Sequence, residues 1–218
     1  MYFIENVGSR GVLFGTDTIP GCVTHIYLIK GERYNFIIDT GLGEDTAKQV
    51  LNYINENCPK PALVINTHYH WDHIWGNGAF EGGDIYAHRL TKSLIEEKWA
   101  EMEERCGKWK EGLAKKVLPT KLIGATFDFP DEGIEVFHSP GHTSDSISIY
   151  DRMDRVLHVG DNMETLMPEL YDTKQNYIDS LRKYLACDFC RCISGHNSRI
   201  TREEVQQVLE LMQSETER

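Results

Sequence analysis

Apolar residues along this chain recur with two different periods, and the period predicts the elements. Short apolar runs and alternations at 12–15 (VLFG), 24–31 (THIYLIKG) and 34–41 (YNFIIDTG) predict strands. Gly31-Glu32 predicts a hairpin turn between the last two. From about Glu44 to Asn57 the spacing changes. Ala47, Val50, Leu51 and Ile54 fall on one helical stripe, which Pro59 and Pro61 end. PALVINTHYH, 61–70, then predicts a short buried strand running into a histidine-rich loop.

The stretch from His88 to about Lys116 is charged and helical, with Leu90, Leu94, Ile95, Trp99 and Met102 at helical spacing. Gly107 and Gly112 break it. Strand patterns return at 125–129 (ATFDF), 134–140 (IEVFHSP), 146–151 (SISIYD) and 155–161 (RVLHVGD). A helix from about Gln175 to Ala186 leads into RCISGH, 191–196. The last helix, TREEVQQVLELMQ, begins with a capping box, Thr201 followed three residues later by Glu204. This order predicts an α/β layered domain with helices outside sheet cores. No repeat or linker divides it, so the expectation is one domain over 1–218, with a helical insert at about 88–118.

Composition and charge narrow the classes. The 218 residues are 40% hydrophobic and 26% charged, which suits a globular domain with a sizeable core. A net charge of −11 makes nucleic acid and anionic membranes poor partners and favours a small-molecule substrate. No apolar run reaches the ~20 residues of a membrane span. The opening MYFIENVGSR lacks the basic and apolar regions of a signal peptide, so a cytoplasmic protein is expected, with a homo-oligomer left open. Of the six cysteines, Cys187, Cys190 and Cys192 cluster as CDFCRC. With no second C-x-x-C to complete a four-thiolate zinc site, packing thiols are the simpler reading.

Candidate chemistry concentrates in THYHWDH, 67–73. Three imidazoles and a carboxylate within six positions each need a polar partner when buried, and one metal ion satisfies several at once. After a strand the loop is roughly extended, so His68 and His70 point the same way, while Asp72 and His73 turn toward a second position. Further ligands belong at strand ends. His142 in SPGHTSDS, Asp161 in LHVGDN and His196 in CISGHN each follow a glycine and an apolar strand. His138 lies four residues before His142 but sits inside a strand pattern and reads as a hydrogen-bonded strand residue, as do His25 and His158. Trp71 and Trp75 flank the loop, either as pocket walls or as packing beneath it.

His-x-His-x-Asp-His followed in order by Gly-His-Thr, Gly-Asp and Gly-His resembles the metallo-β-lactamase superfamily, from IIDTG at 37–41 through His196. The resemblance implies a four-layer αββα sandwich with metals at one edge of its two sheets. It implies a first metal on His68, His70 and His142, a second on Asp72, His73 and His196, and Asp161 bridging both. Asp39 matches a structural acid near the site. The implied cofactors are two divalent ions, zinc first, with iron or manganese as alternatives. Such a pair lowers the pKa of a shared water, and the resulting bridging hydroxide attacks an electrophilic centre, with Asp72 orienting it. Tyr69, Tyr171 and a metal-bound water stay open as the general acid.

Within the family, the expectation is a dinuclear hydrolase of a small-molecule ester, thioester or lactone-like bond. Asp161 and the absence of a leader pattern set the chain apart from exported β-lactamases. Its charge and lack of a protruding arm set it apart from tRNA-processing nucleases. The rival readings are a mononuclear iron persulfide-dioxygenase-like oxidoreductase, using the equivalents of His68, His142 and Asp161, and a non-catalytic metal-binding module.

Overall fold

The computed structural model describes residues 2–164 and 168–214. The chain divides into two compact units, residues 1–123 and 124–218.

The first unit is built on a seven-stranded sheet whose strands lie in sequence order. Strands β1 (Tyr2–Val7), β2 (Gly11–Ile19), β3 (Cys22–Lys30) and β4 (Asn35–Ile38) form an antiparallel meander. Strands β5 (Ala62–Ile65), β6 (Ile85–His88) and β7 (Lys121–Ile123) continue it in parallel. Parallel neighbours require crossovers. These carry α1 (Glu44–Asn57), then the short α2 (Trp71–Ile74) with the 3-10 turn Trp75–Phe80, then α3 (Arg89–Cys106). Helix α1 has the bounds its apolar stripe predicts. Its Ala47, Val50 and Ile54 pack with Val12, Phe14, Ile26, Leu28 and Val64.

Three strands escape the periodicity: β1, β6 and β7. Each is short or lies at an edge, and its extended form comes from a neighbour's hydrogen bonds more than from its own pattern. The turn between β3 and β4 is also longer than Gly31-Glu32 suggests. Lys30 pairs with Asn35, leaving a four-residue loop closed by the Gly31 N–H donating to Tyr34 O at 2.9 Å. The stretch after His88 is helical as expected. Ile95, Trp99 and Met102 of α3 pack on Ile74 and Trp75, so this helix extends the core beneath the histidine loop.

The second unit holds a five-stranded sheet in the order β12-β11-β10-β9-β8. Strands β8 (Thr126–Phe129), β9 (Ile134–His138), β10 (Ile147–Asp151) and β11 (Val156–His158) are antiparallel neighbours. β12 (Arg191–Ile193) joins β11 in parallel after the crossover helix α4 (Lys174–Ala186). Helix α5 (Arg202–Ser214) follows. Tyr177, Leu181 and Tyr184 of α4 and Val205, Val208 and Met212 of α5 share one core with Leu157, Val159 and Cys192. The capping box forms as read. Glu204 N donates to Thr201 Oγ1 at 3.1 Å, and Thr201 N donates back to Glu204 Oε2 at 2.6 Å.

Trp75 is fully buried beneath the histidine loop, 4.9 Å ring to ring from Trp71. Packing is therefore its role, rather than lining a pocket. Trp75→Ala is expected to lower unfolding stability by about 3–5 kcal/mol in urea titration, as for other buried aromatics. A loss below ~1 kcal/mol would contradict its place in the core.

Candidate metal centre

The chain places all seven predicted ligands just beyond strand ends. His68 and His70 follow β5, and Asp72 and His73 lie in α2, the short helix that opens next. In the second unit the reason is directional. β10 runs antiparallel to both β9 and β11, and β12 runs parallel to β11, so β9, β11 and β12 all point the same way. His142, Asp161 and His196 leave the ends of these three strands and so meet at one edge of that sheet.

In the first unit the ring centroids of His68 lie 4.7 Å from His70 and 4.2 Å from His73. Asp72 Oδ2 is 3.5 Å from His73 Nε2. In the second unit Asp161 Oδ2 lies 3.3 Å from His196 Nε2 and 3.7 Å from His142 Nε2. Within each unit the candidate ligands thus lie side by side: His68, His70, Asp72 and His73 in the first, and His142, Asp161 and His196 in the second. All seven residues are buried or half-buried.

The donor set fits a divalent cation on two counts. First, the spacing suits coordination better than hydrogen bonding. Ligands ~2.1 Å from a tetrahedral ion lie about 3.4 Å apart, close to the separations around Asp161 and Asp72. Second, the rings are oriented from behind, as metal-binding imidazoles usually are. His73 Nδ1 is 2.8 Å from Asp39 Oδ2, His68 Nδ1 is 3.0 Å from Thr67 Oγ1, and His142 Nδ1 is 2.8 Å from the Glu169 carbonyl. Each of these contacts engages Nδ1, and it is Nε2 that faces the neighbouring carboxylate where one is near: Asp72 for His73 and Asp161 for His142. His142 is further steadied by Tyr171, whose backbone N–H donates to the His142 carbonyl and whose ring meets the imidazole edge-on.

Buried polar groups hold these loops, among them Asp39, the structural acid that the resemblance implies, and Asn77 and Asn162, which the sequence does not single out. Asp39, in the left-handed region at φ 61°, directly follows β4 and accepts from Thr67 N at 2.7 Å and Thr67 Oγ1 at 2.8 Å. Burial pushes its carboxyl above the ordinary range, while His73 and Thr67 pull it back. Beside it, Thr40 donates to Asn77 Oδ1, and Asn66 and Asn77 exchange side-chain amide bonds at 3.1 and 2.9 Å. Gly76 lets this layer close, because a Cβ there would meet Thr40 O at 2.1 Å.

Asn162 does the same work in the second unit. Its Oδ1 accepts from His142 N at 2.7 Å, and its Nδ2 donates to Ser139 O and Tyr184 Oη, both at 2.6 Å. Gly141 is confined by this contact, since a Cβ would lie 2.8 Å from Asn162 Oδ1 and 2.5 Å from the Tyr177 ring. The only signal in the sequence is adjacency: Asn162 follows Asp161, and Thr67 precedes His68.

The remaining candidates stay outside this cluster. His138 lies in β9 with Nε2 2.9 Å from Ser144 O, and His88 caps α3 through the Leu90 N–H. All six cysteines are free thiols. Burial pushes Cys187 up to about 11 and Cys192 higher still, which suits inert packing groups.

The sequence profile of the metallo-β-lactamase superfamily matches residues 19–204. The chain is 26% identical over 156 residues to an acyl-coenzyme A thioesterase MBLAC2 of Gallus gallus, covering 63% of this chain and 56% of that one. It is 24% identical over 203 residues to a 2,4-dinitroanisole O-demethylase subunit alpha of Nocardioides sp., covering 89% and 58%. The chain thus spans a little over half the length of these relatives. Among solved structures, the DIM-1 metallo-β-lactamase superposes with a TM-score of 0.78 at 18% identity, covering 98% of this chain and 97% of that one. That likeness establishes the αββα fold, and the profile match establishes the lineage: this chain belongs to the metallo-β-lactamase superfamily.

Proposed function

We propose that the chain is a dinuclear metal-dependent hydrolase acting on an ester, thioester or lactone-like bond of a small molecule. The observation that carries this reading is the position of Asp161. One carboxylate oxygen stands beside His142 and His196, imidazoles from the two different ligand sets. In this reading His68, His70 and His142 hold one ion, Asp72, His73 and His196 hold the other, and Asp161 serves both. When bound, two divalent ions, zinc first and iron or manganese as alternatives, supply Lewis acidity and a water of lowered pKa.

The chain's own residues supply the rest. Asp39 and Thr67 hold the tautomers of His73 and His68 so that each presents a neutral nitrogen. In this reading Asp72 has a second task besides its place beside His73, to orient the attacking water and accept its proton. The thioesterase among the relatives supports an acyl substrate, and the net charge of −11 disfavours polyanions. The reading takes 1–218 as one functional domain. Six free thiols suit a reducing compartment such as the cytoplasm. Among the described residues, no helix is long and apolar enough to cross a membrane.

Elemental analysis of protein grown with zinc and iron both available is expected to find about two ions per chain. Asp161→Ala should lower occupancy of both positions and cut hydrolysis of thioester and lactone substrates by on the order of 10³-fold. Full occupancy with unchanged turnover would sink the shared-ligand role. A single iron with oxygen uptake on persulfides would replace hydrolysis by oxidative chemistry.

His142→Ala should lose roughly half the metal and nearly all activity, whereas His138→Ala should keep both. The reverse pattern would move the ligand to β9. Asp39→Asn preserves shape but removes the charge that orients His73. Competition with a chromogenic chelator should then show metal affinity about 10–100-fold weaker, with the chain still folded. Wild-type affinity would show that Asp39 acts on the fold alone.

A further inference from the structure

Between the 3-10 turn Gly107–Trp109 and β7 the chain forms neither helix nor strand, yet it is tied closely to the first unit. Glu111 is its anchor, and each polar group of that residue has a partner. Its N–H donates to Leu42 O at 3.1 Å, and its carbonyl accepts from Asp45 N at 3.1 Å. Its Oε2 accepts from Thr46 Oγ1 at 2.9 Å. Its Oε1 accepts from Thr16 Oγ1 at 3.1 Å and from Thr18 Oγ1. A carboxylate suits this place, because its two oxygens together can accept several hydroxyls.

The backbone contacts stand in for a helix cap. Gly43 precedes α1 and offers no side-chain cap, although the first N–H groups of a helix need acceptors. Glu44 N donates instead to Leu113 O at 3.0 Å, and Asp45 N to Glu111 O. A Cβ at Gly43 would lie 2.3 Å from Glu111 O, so the two backbones meet there. The Thr16 and Thr18 hydroxyls come from an irregular stretch of β2, whose register against β3 shifts between Thr16 and Ile19.

The turn clamped in this way is the one that begins at Asp39. It holds Asp39 at φ 61° and Gly41 at φ 75°. A residue with a Cβ keeps a left-handed conformation only where its surroundings hold it. Asp39 engages His73 Nδ1, and Thr40 donates to His73 O through both its N–H and its hydroxyl, at 2.8 and 3.1 Å. A short path of covalent and hydrogen bonds thus joins Glu111 to the His73 imidazole.

We propose that Glu111 is a positioning residue for the metal centre: it locks the turn after β4 and, through Asp39, fixes the imidazole of His73. The role rests on the reading of His73 as a metal ligand and adds to it a residue outside the donor set.

The test is zinc affinity by chelator competition, with every protein checked as folded by circular dichroism. Wild type is compared with Glu111→Ala, Glu111→Gln, Asp39→Asn and the double variant Glu111→Ala/Asp39→Asn. A second readout, in metal-free protein, is the proton resonance of the His73 imidazole N–H shared with Asp39. Glu111→Ala should weaken zinc binding about tenfold and shift that resonance. Glu111→Gln keeps an acceptor oxygen and should retain most of the affinity. In the Asp39→Asn background Glu111→Ala should weaken binding no further, because the path is already cut. Thr46→Val, which removes one donor to Glu111, should shift affinity and resonance in the same direction and serves if Glu111→Ala does not fold.

A role confined to capping α1 would lower the melting temperature and leave affinity and resonance as in wild type. That result would overturn the proposal, as would fully additive losses in the double variant. No zinc binding by wild type would instead remove the metal reading itself, and this role with it.

Discussion

A buried carboxylate needs donors, and Asp39 is the point where that need organises the first unit. Leaving it ionised and unpaired in the interior would cost several kcal/mol. Thr67 supplies two donors and His73 a third. Meeting that demand ties the end of β4 to the loop after β5 and to α2, which are the segments that carry His68, His70, Asp72 and His73. The backbone follows the same path, with Asp39 N donating to Ile65 O and Thr40 N to His73 O. The ligand loop is thus held by groups whose own satisfaction depends on its conformation.

Asn162 gives the second unit an uncharged version of the same arrangement. An amide can both donate and accept, so one side chain joins the His142 turn, the Ser139 carbonyl and the Tyr184 phenol. Ser148 donates to the same phenol and Tyr177 to the Asn162 carbonyl, which ties the ligand edge to α4. Burial pushes the Tyr184 hydroxyl up to about 12, so it stays a neutral donor and acceptor throughout the physiological range. Two polar networks of different chemistry therefore do one job, fixing ring orientation before any ion arrives, which is what metal affinity demands.

How much of this was legible in the sequence depends on whether the deciding interaction is local. Helix α1, the capping box of α5 and the order of the ligands were readable. Their causes lie within a few residues: an apolar stripe, a hydroxyl three positions from a carboxylate, a glycine before each later ligand. The superfamily followed from five separated motifs in order. Strands β1, β6 and β7, the four-residue turn at 31–34 and the core role of Trp75 were not readable, because each is set by a partner distant in sequence. Nor were Asp39's three donors or the reach of Asn162 from one strand end to another. Sequence by itself determined which groups could bind a metal and in what order they occur. Only the tertiary structure decided which nitrogen His73 and His142 present, because that choice belongs to hydrogen bonds made across the fold, to Asp39 and to the Glu169 carbonyl.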